Sequence, residues 1–149
     1  MFKAIDTLLR RALLALALVM AAPFAALAAE MTVYKSPTCG CCVAWIDHVK
    51  AHGFTVKAID VRDVSGVKLA NGVTRELASC HTALVDGYVI DRPVPAADTT
   101  PILHERPAIT GLAVPGMPMG SPGMEGPVTQ RYNVVSFDKS GKTRVFSRY

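Results

Sequence analysis

Ser36-Pro37-Thr38-Cys39-Gly40-Cys41-Cys42 places three of the chain's four cysteines within four positions. Cys39 and Cys42 are spaced C-x-x-C, which suits a structural staple, a redox couple or a nest for a soft metal ion. Cys41 is the departure from a simple dithiol enzyme, because a thiol inside the turn offers competing disulfide pairings and a further soft donor. The fourth thiol, Cys80, is followed by an imidazole, His81, a further candidate metal ligand. Met117, Met119 and Met124 lie in a later Pro- and Gly-rich stretch, and in an extended segment Met117 and Met119 point the same way. Thiolate and thioether together are the donor set that selects Cu(I) over harder ions. His48 and His52 stand at i and i+4, a spacing that can hold a metal, although solvated histidines are the commoner arrangement. His104 is a lone histidine. No Ser-His-Asp order, phosphate loop or paired carboxylates stand out, so hydrolase chemistry has no support.

These residues need elements to bring them together. Met31 to Lys35 is a short alternating β-prone run that feeds into Pro37 and the cysteines. From Cys42 onward, Trp45, Ile46 and Val49 recur at helical spacing, with Gly53 as a C-cap. A strand handing over to a helix at Cys39 sets the first cysteine beside unpaired helical amides and the positive end of the macrodipole, which favours the thiolate. Phe54 to Val61 alternates again and predicts a parallel βαβ unit. Val64 to Ser79 reads as a short helix, an Asn71-Gly72 break and a second helical turn around Thr74 to Ala78. His81 to Val85 and Tyr88 to Ile90 flank Asp86-Gly87, a hairpin signal, and Ala96 to Arg106 predicts a helix. The order β-α-β-α-β-β-α matches a thioredoxin-like α/β layer. It also sets Cys80 just before the strand beside the first one, at the end where the cysteine turn emerges. The run from Thr110 to Pro127 is a loop by composition, its prolines and glycines arguing against helix or central strand. A second hairpin closes the chain, Tyr132 to Phe137 and Thr143 to Ser147 around Asp138 to Gly141.

At 149 residues the chain has room for one domain. Its first part reads as a secretory leader: Lys3, Arg10 and Arg11 precede an apolar run from Ala12 to Ala22, and Ala26-Leu27-Ala28 offers a small-x-small cleavage pattern. The run falls short of the roughly 20 residues a span requires. The expectation is a signal peptide over residues 1–28 and an exported, periplasmic domain over 29–149 with no membrane attachment after cleavage. Those leader charges, set against Asp6, supply half of the formal +4, and no Lys/Arg cluster with interleaved aromatics is left to bind nucleic acid. All four cysteines fall in the mature part, where an oxidising compartment lets disulfides persist and thiolates need a metal or a reductant.

The segments SPTCGCC, ELASCHTALVDGYVI and GLAVPGMPMGSPGME, in that order, resemble the CopG-like periplasmic copper-resistance proteins, a family long described as a domain of unknown function. The likeness covers essentially the whole mature chain. It implies a thioredoxin-like fold with a C-terminal extension, several bound copper ions, and interconversion of Cu(I) and Cu(II) or help in copper handling beside other periplasmic copper proteins. Carried onto this chain, Cys39, Cys41, Cys42 and Cys80 are the copper and redox residues, with His81 adjoining, and Met117, Met119 and Met124 border or cap the metal. One departure stands out: members usually read Gly-His-Val-Pro-Ala after the hairpin, where this chain has Arg92-Pro93-Val94-Pro95-Ala96. Two other readings stay open: a thiol-disulfide oxidoreductase with Cys39 as nucleophile and Cys42 as resolving thiol, and a domain stapled by two structural disulfides.

Overall fold

The computed structural model describes residues 28–91 and 93–149. The expected leader lies outside the described residues apart from Ala28, and so does Arg92 of the family departure. The chain is mixed α/β. Strand β1 (Glu30–Lys35) leads through the cysteine turn into helix α1 (Gly40–Ala51), and β2 (Thr55–Asp60) returns parallel to β1. Helix α2 (Ser65–Ala70), β3 (His81–Val85), β4 (Tyr88–Asp91) and helix α3 (Ala96–Glu105) follow, then β5 (Gly111–Ala113), β6 (Asn133–Phe137) and β7 (Thr143–Arg148). The strands make one sheet in the order β2-β1-β3-β4-β5-β6-β7. β3 runs antiparallel to β1 with His81 opposite Lys35, and β4 antiparallel to β3.

The period-two alternation of the strands splits the core between the two faces of the sheet. On one face Met31, Val33, Ala83, Val85, Ile90 and Leu112 pack against Trp45, Ile46 and Val49 of α1 and Ile102 of α3. On the other, Val89, Ala113 and Phe137 pack with Val73 and Leu77. Asp86 and Gly87, with φ of 46° and 85°, give the β3–β4 hairpin the left-handed pair that a tight two-residue turn requires.

Two sequence expectations change. Thr74 to Ala78 forms no helix: Leu77 N–H donates to the Thr74 carbonyl and Ala78 N–H to that of Arg75, i to i+3 turns that do not propagate. The Thr110 to Pro127 run is not loop throughout, because Gly111–Ala113 is a fully buried central strand, parallel to β4 and antiparallel to β6. Its strand part ends before the first proline, Pro115. A Cβ at Gly111 would strike the Val89 carbonyl, so the glycine that argued against a strand is what lets β5 approach β4. The terminal hairpin thus extends the main sheet. The buried Asp98 on α3 ties it down, accepting hydrogen bonds from Ser147 Oγ (2.7 Å) and Tyr149 Oη (3.1 Å). Burial, with the Asp98 carboxylate second, pushes the Tyr149 phenol up to about 12.

Helix α3 begins after Pro95, which has no side chain to cap it. His48 on α1 takes that role: its Nε2 accepts the Ala96 N–H at 3.2 Å. His52 packs against it with tilted rings, centroids 4.4 Å apart, and Nδ1 2.7 Å from the His48 carbonyl. Burial lowers the His48 pKa from its ordinary 6.5, the neighbouring His52 lowers it further, and Glu125 opposes both. Only a neutral Nε2 can accept, so the unfolded chain takes up a proton more readily than the folded one. The cap's contribution is complete above pH 6.5 and is lost as pH falls through the depressed folded value. Thermal unfolding across that range should show His48→Ala less stable by about 1 kcal/mol at neutral pH, the usual worth of a helix cap. The difference should shrink in acid; a gap independent of pH would assign the loss to packing.

Candidate metal centre

The turn after β1 is closed by the Cys39 N–H donating to the Ser36 carbonyl at 3.2 Å. Cys39 is then the N-cap of α1, with φ −80° and ψ 93°, and its Sγ accepts the Cys42 N–H at 3.3 Å. A sulfur replaces the oxygen that usually caps a helix, at the end where amide dipoles favour negative charge. The first turn of the helix carries Cys41 and Cys42. Cys39 and Cys42 are joined as a disulfide with Cα atoms 5.3 Å apart.

Cys80 arrives from the other side of the sheet pairing. Because His81 lies opposite Lys35, the residue before β3 falls beside the turn that leaves β1. Cys41 Sγ is 3.5 Å from Cys39 Sγ and 3.6 Å from Cys80 Sγ, and the four cysteine sulfurs all lie within 4.8 Å of one another. Cys42 is fully buried, its Sγ 3.8 Å from the Cys80 carbonyl oxygen, while Cys39, Cys41 and Cys80 are half-buried.

The methionines divide. Met117 Sδ lies 3.5 Å from Cys80 Sγ, so this thioether joins the cluster. Its backbone has a left-handed φ of 58°, following Gly116 at 83°; for a residue with a Cβ that costs about 1–2 kcal/mol. Met119 lies elsewhere in the loop, its methyl against Gly126, and its backbone exchanges hydrogen bonds with Gln130 at 2.9 Å in both directions. Met124 is half-buried in a tight turn, its carbonyl accepting the Gly120 N–H at 2.8 Å. The loop is pressed onto α1 at Gly123, where a Cβ would lie 2.6 Å from the Cys41 carbonyl oxygen and 2.9 Å from the Trp45 nitrogen. His81 turns the other way: fully buried, its ring sits 4.4 Å from that of Trp45, whose Nε1 donates to the Val94 carbonyl at 2.9 Å.

Sequence reasoning missed what holds Cys80. Lys68, on the short α2, and Asp91, at the end of β4, form a buried ion pair at 2.5 Å. Lys68 Nζ also donates to the His81 carbonyl (3.0 Å) and Thr82 Oγ1 (2.9 Å), and Asp91 Oδ2 accepts from the Ser79 N–H (3.0 Å) and hydroxyl (3.1 Å). The pair therefore grips the backbone on both sides of Cys80. Burial pushes the Asp91 carboxyl up, with the Lys68 ammonium pulling against it. A lysine on a six-residue helix and an aspartate at a strand end carry no spacing signal that would join them.

The family model described as "Protein of unknown function, DUF411" matches residues 77–124, a segment that spans Cys80 and the three methionines. None of the curated proteins matches the chain. Among solved structures, one described as copper resistance protein copG, form 2, superposes with a TM-score of 0.77 at 43% identity, covering 82% of this chain and 98% of that one. A second, form 1, gives 0.75 at 44% identity, covering 80% and 96%. The chain belongs to the CopG copper-resistance family. That match is made across nearly the whole length of the family's solved members, so the cysteine turn, Cys80 and the methionine loop come from one shared architecture. No helix among the described residues is long and apolar enough to cross a membrane.

Removing one member of the Lys68–Asp91 pair leaves the other charge buried and uncompensated. Lys68→Met should cost about 3–5 kcal/mol in urea unfolding. Replacing both, as Lys68→Met with Asp91→Leu, should recover much of that loss, and a fully additive double variant would show that the two side chains are not coupled.

Proposed function

We propose that the chain is an exported copper-binding protein of the periplasm that holds several Cu(I) ions through Cys39, Cys41, Cys42 and Cys80 and converts copper between its two oxidation states in copper resistance. In this reading residues 1–28 are a cleaved leader, and residues 29–149 are a thioredoxin-like layer, β1 to α3, extended by the methionine loop and the terminal hairpin. The strand order β2-β1-β3-β4, with one parallel and two antiparallel pairings, is what supports the thioredoxin-like assignment.

Four sulfurs within 4.8 Å of one another, with the Met117 thioether against Cys80, carry the copper reading. The donor set fits a soft monovalent ion: thiolate and thioether only, with no carboxylate in the group. Met117 serves as a ligand or cap, Met119 and Met124 as the border that shapes the loop, and His81 as the packing partner beneath the cluster. The solved relatives are named for copper resistance, and copper is accordingly the cargo here.

The redox half has a balanced chemical basis. Oxidation of the Cys39 and Cys42 thiols to their disulfide releases two electrons and two protons, which matches reduction of two Cu(II) to two Cu(I). The same disulfide supports a second reading, a periplasmic thiol-disulfide oxidoreductase with Cys39 as nucleophile and Cys42 as resolving thiol. The two readings differ on Cys41 and Cys80, which such an exchange enzyme does not require.

Titration of the reduced, purified chain with Cu(I) against a competing chelator should show uptake of more than one ion per chain, weakening in acid as protons compete for the thiols. Cys41→Ser and Cys80→Ser should each lower that stoichiometry. A reduced chain that leaves all Cu(I) with the chelator, yet reduces a model protein disulfide independently of Cys41 and Cys80, would decide for the oxidoreductase.

A further inference from the structure

The disulfide divides the cluster into two chemically different halves. Once Cys39 and Cys42 are joined, neither offers a thiolate. Cys41, Cys80 and Met117 stand outside that bond and remain neighbours, 3.6 Å from Cys41 Sγ to Cys80 Sγ and 3.5 Å from Cys80 Sγ to Met117 Sδ. We propose that these three side chains form a single-copper site that is complete while Cys39 and Cys42 are disulfide-bonded, so that the disulfide sets how many copper ions the chain carries. This rests on the copper reading above and adds a regulated stoichiometry to it.

Each donor is positioned by contacts other than the disulfide. Cys80 is gripped on both sides by Lys68 and Asp91. Cys41 lies in the first turn of α1, where its carbonyl is covered by Gly123 of the methionine loop. Met117 is carried on that same loop, which is also tied through Met119 to Gln130. The left-handed backbone at Met117 aims a thioether at Cys80 at a conformational cost. The trio is also reachable: Met117 is 38% exposed, and Cys41 and Cys80 are half-buried, whereas Cys42 is fully buried.

The chemistry closes without an outside oxidant. Binding of one Cu(I) to Cys41 and Cys80 displaces the two thiol protons and leaves the Cys39–Cys42 bond untouched. Two electrons and two protons from a thiol reductant then open that bond and add two thiols within 4.8 Å of the first pair. The oxidised chain is a low-capacity carrier and the reduced chain a high-capacity one.

The test compares two redox forms of the same chain under anaerobic Cu(I)–bicinchoninate competition. The disulfide form is first defined by alkylation and mass spectrometry, with Cys41 and Cys80 modified and Cys39–Cys42 intact. It should take one Cu(I) per chain and still contain the disulfide afterwards, and the reduced form should take more. In the disulfide form Cys80→Ser or Cys41→Ser should abolish uptake, and Met117→Leu should weaken it at least about tenfold, the scale on which metal sites respond to loss of a supporting group. Circular dichroism of each variant separates loss of a ligand from loss of the fold, and the two serine variants stand in for one another if one fails to fold. Uptake by the reduced form with none by the disulfide form would overturn this inference and leave the copper reading standing. Equal uptake by both forms, or uptake by the disulfide form that survives both serine variants, would also overturn it. No uptake by either form would remove the copper reading itself.

Discussion

The metal centre depends on one strand pairing. β3 runs antiparallel to β1 with His81 opposite Lys35, and that register alone brings a residue some forty positions away in sequence to the cysteine turn. Side chains on a strand alternate between faces, so a slip of one residue would send the apolar set of β3 to the wrong side. Met31 and Val33 on β1, with Ala83 and Val85 on β3, are all essentially inaccessible and enforce the correct alignment. The hydrophobic pattern that folds the sheet is thus also what collects the thiols.

Packing sets the register, and a polar device sets the detail. The Lys68–Asp91 pair lies on the path between α2, β3 and β4 and spends its hydrogen bonds on Ser79, His81 and Thr82 rather than on solvent. Buried ion pairs are seldom efficient stabilisers compared with apolar groups of the same volume. Their geometry is directional, however, and here it fixes the backbone flanking a single cysteine. On the opposite side, Gly123 lets the methionine loop lie directly on the first turn of α1, so a flexible-looking composition gives a closely seated strap. His48, capping α3 from α1, is a third such tie between elements.

Much of this is legible in the sequence. The strand, cysteine turn and helix, the Asp86-Gly87 hairpin and the terminal hairpin follow from periodicity and turn chemistry acting locally, and the position of Cys80 beside the turn follows from the topology that those elements imply. What escaped was non-local. β5 is only three residues long, and its glycine signals a break to any local rule, whereas its real cause is the closeness of the Val89 backbone. Three methionines look equivalent in sequence; the positive φ at Met117 separates the one whose sulfur meets Cys80. His81 follows Cys80 directly, yet strand alternation turns its ring onto Trp45. The pairing of Lys68 with Asp91 depends on the sheet having already formed.

The sulfurs also differ in depth. Exposure declines from Met117 at the rim, through Cys80 and Cys41, to Cys42 at the floor, each within a few ångströms of the next. Cys42 at the floor is thus screened from solvent by its own neighbours, whereas Met117 at the rim meets it directly. On the proposed copper reading, depth alone makes an ion at the rim quicker to exchange than one at the floor.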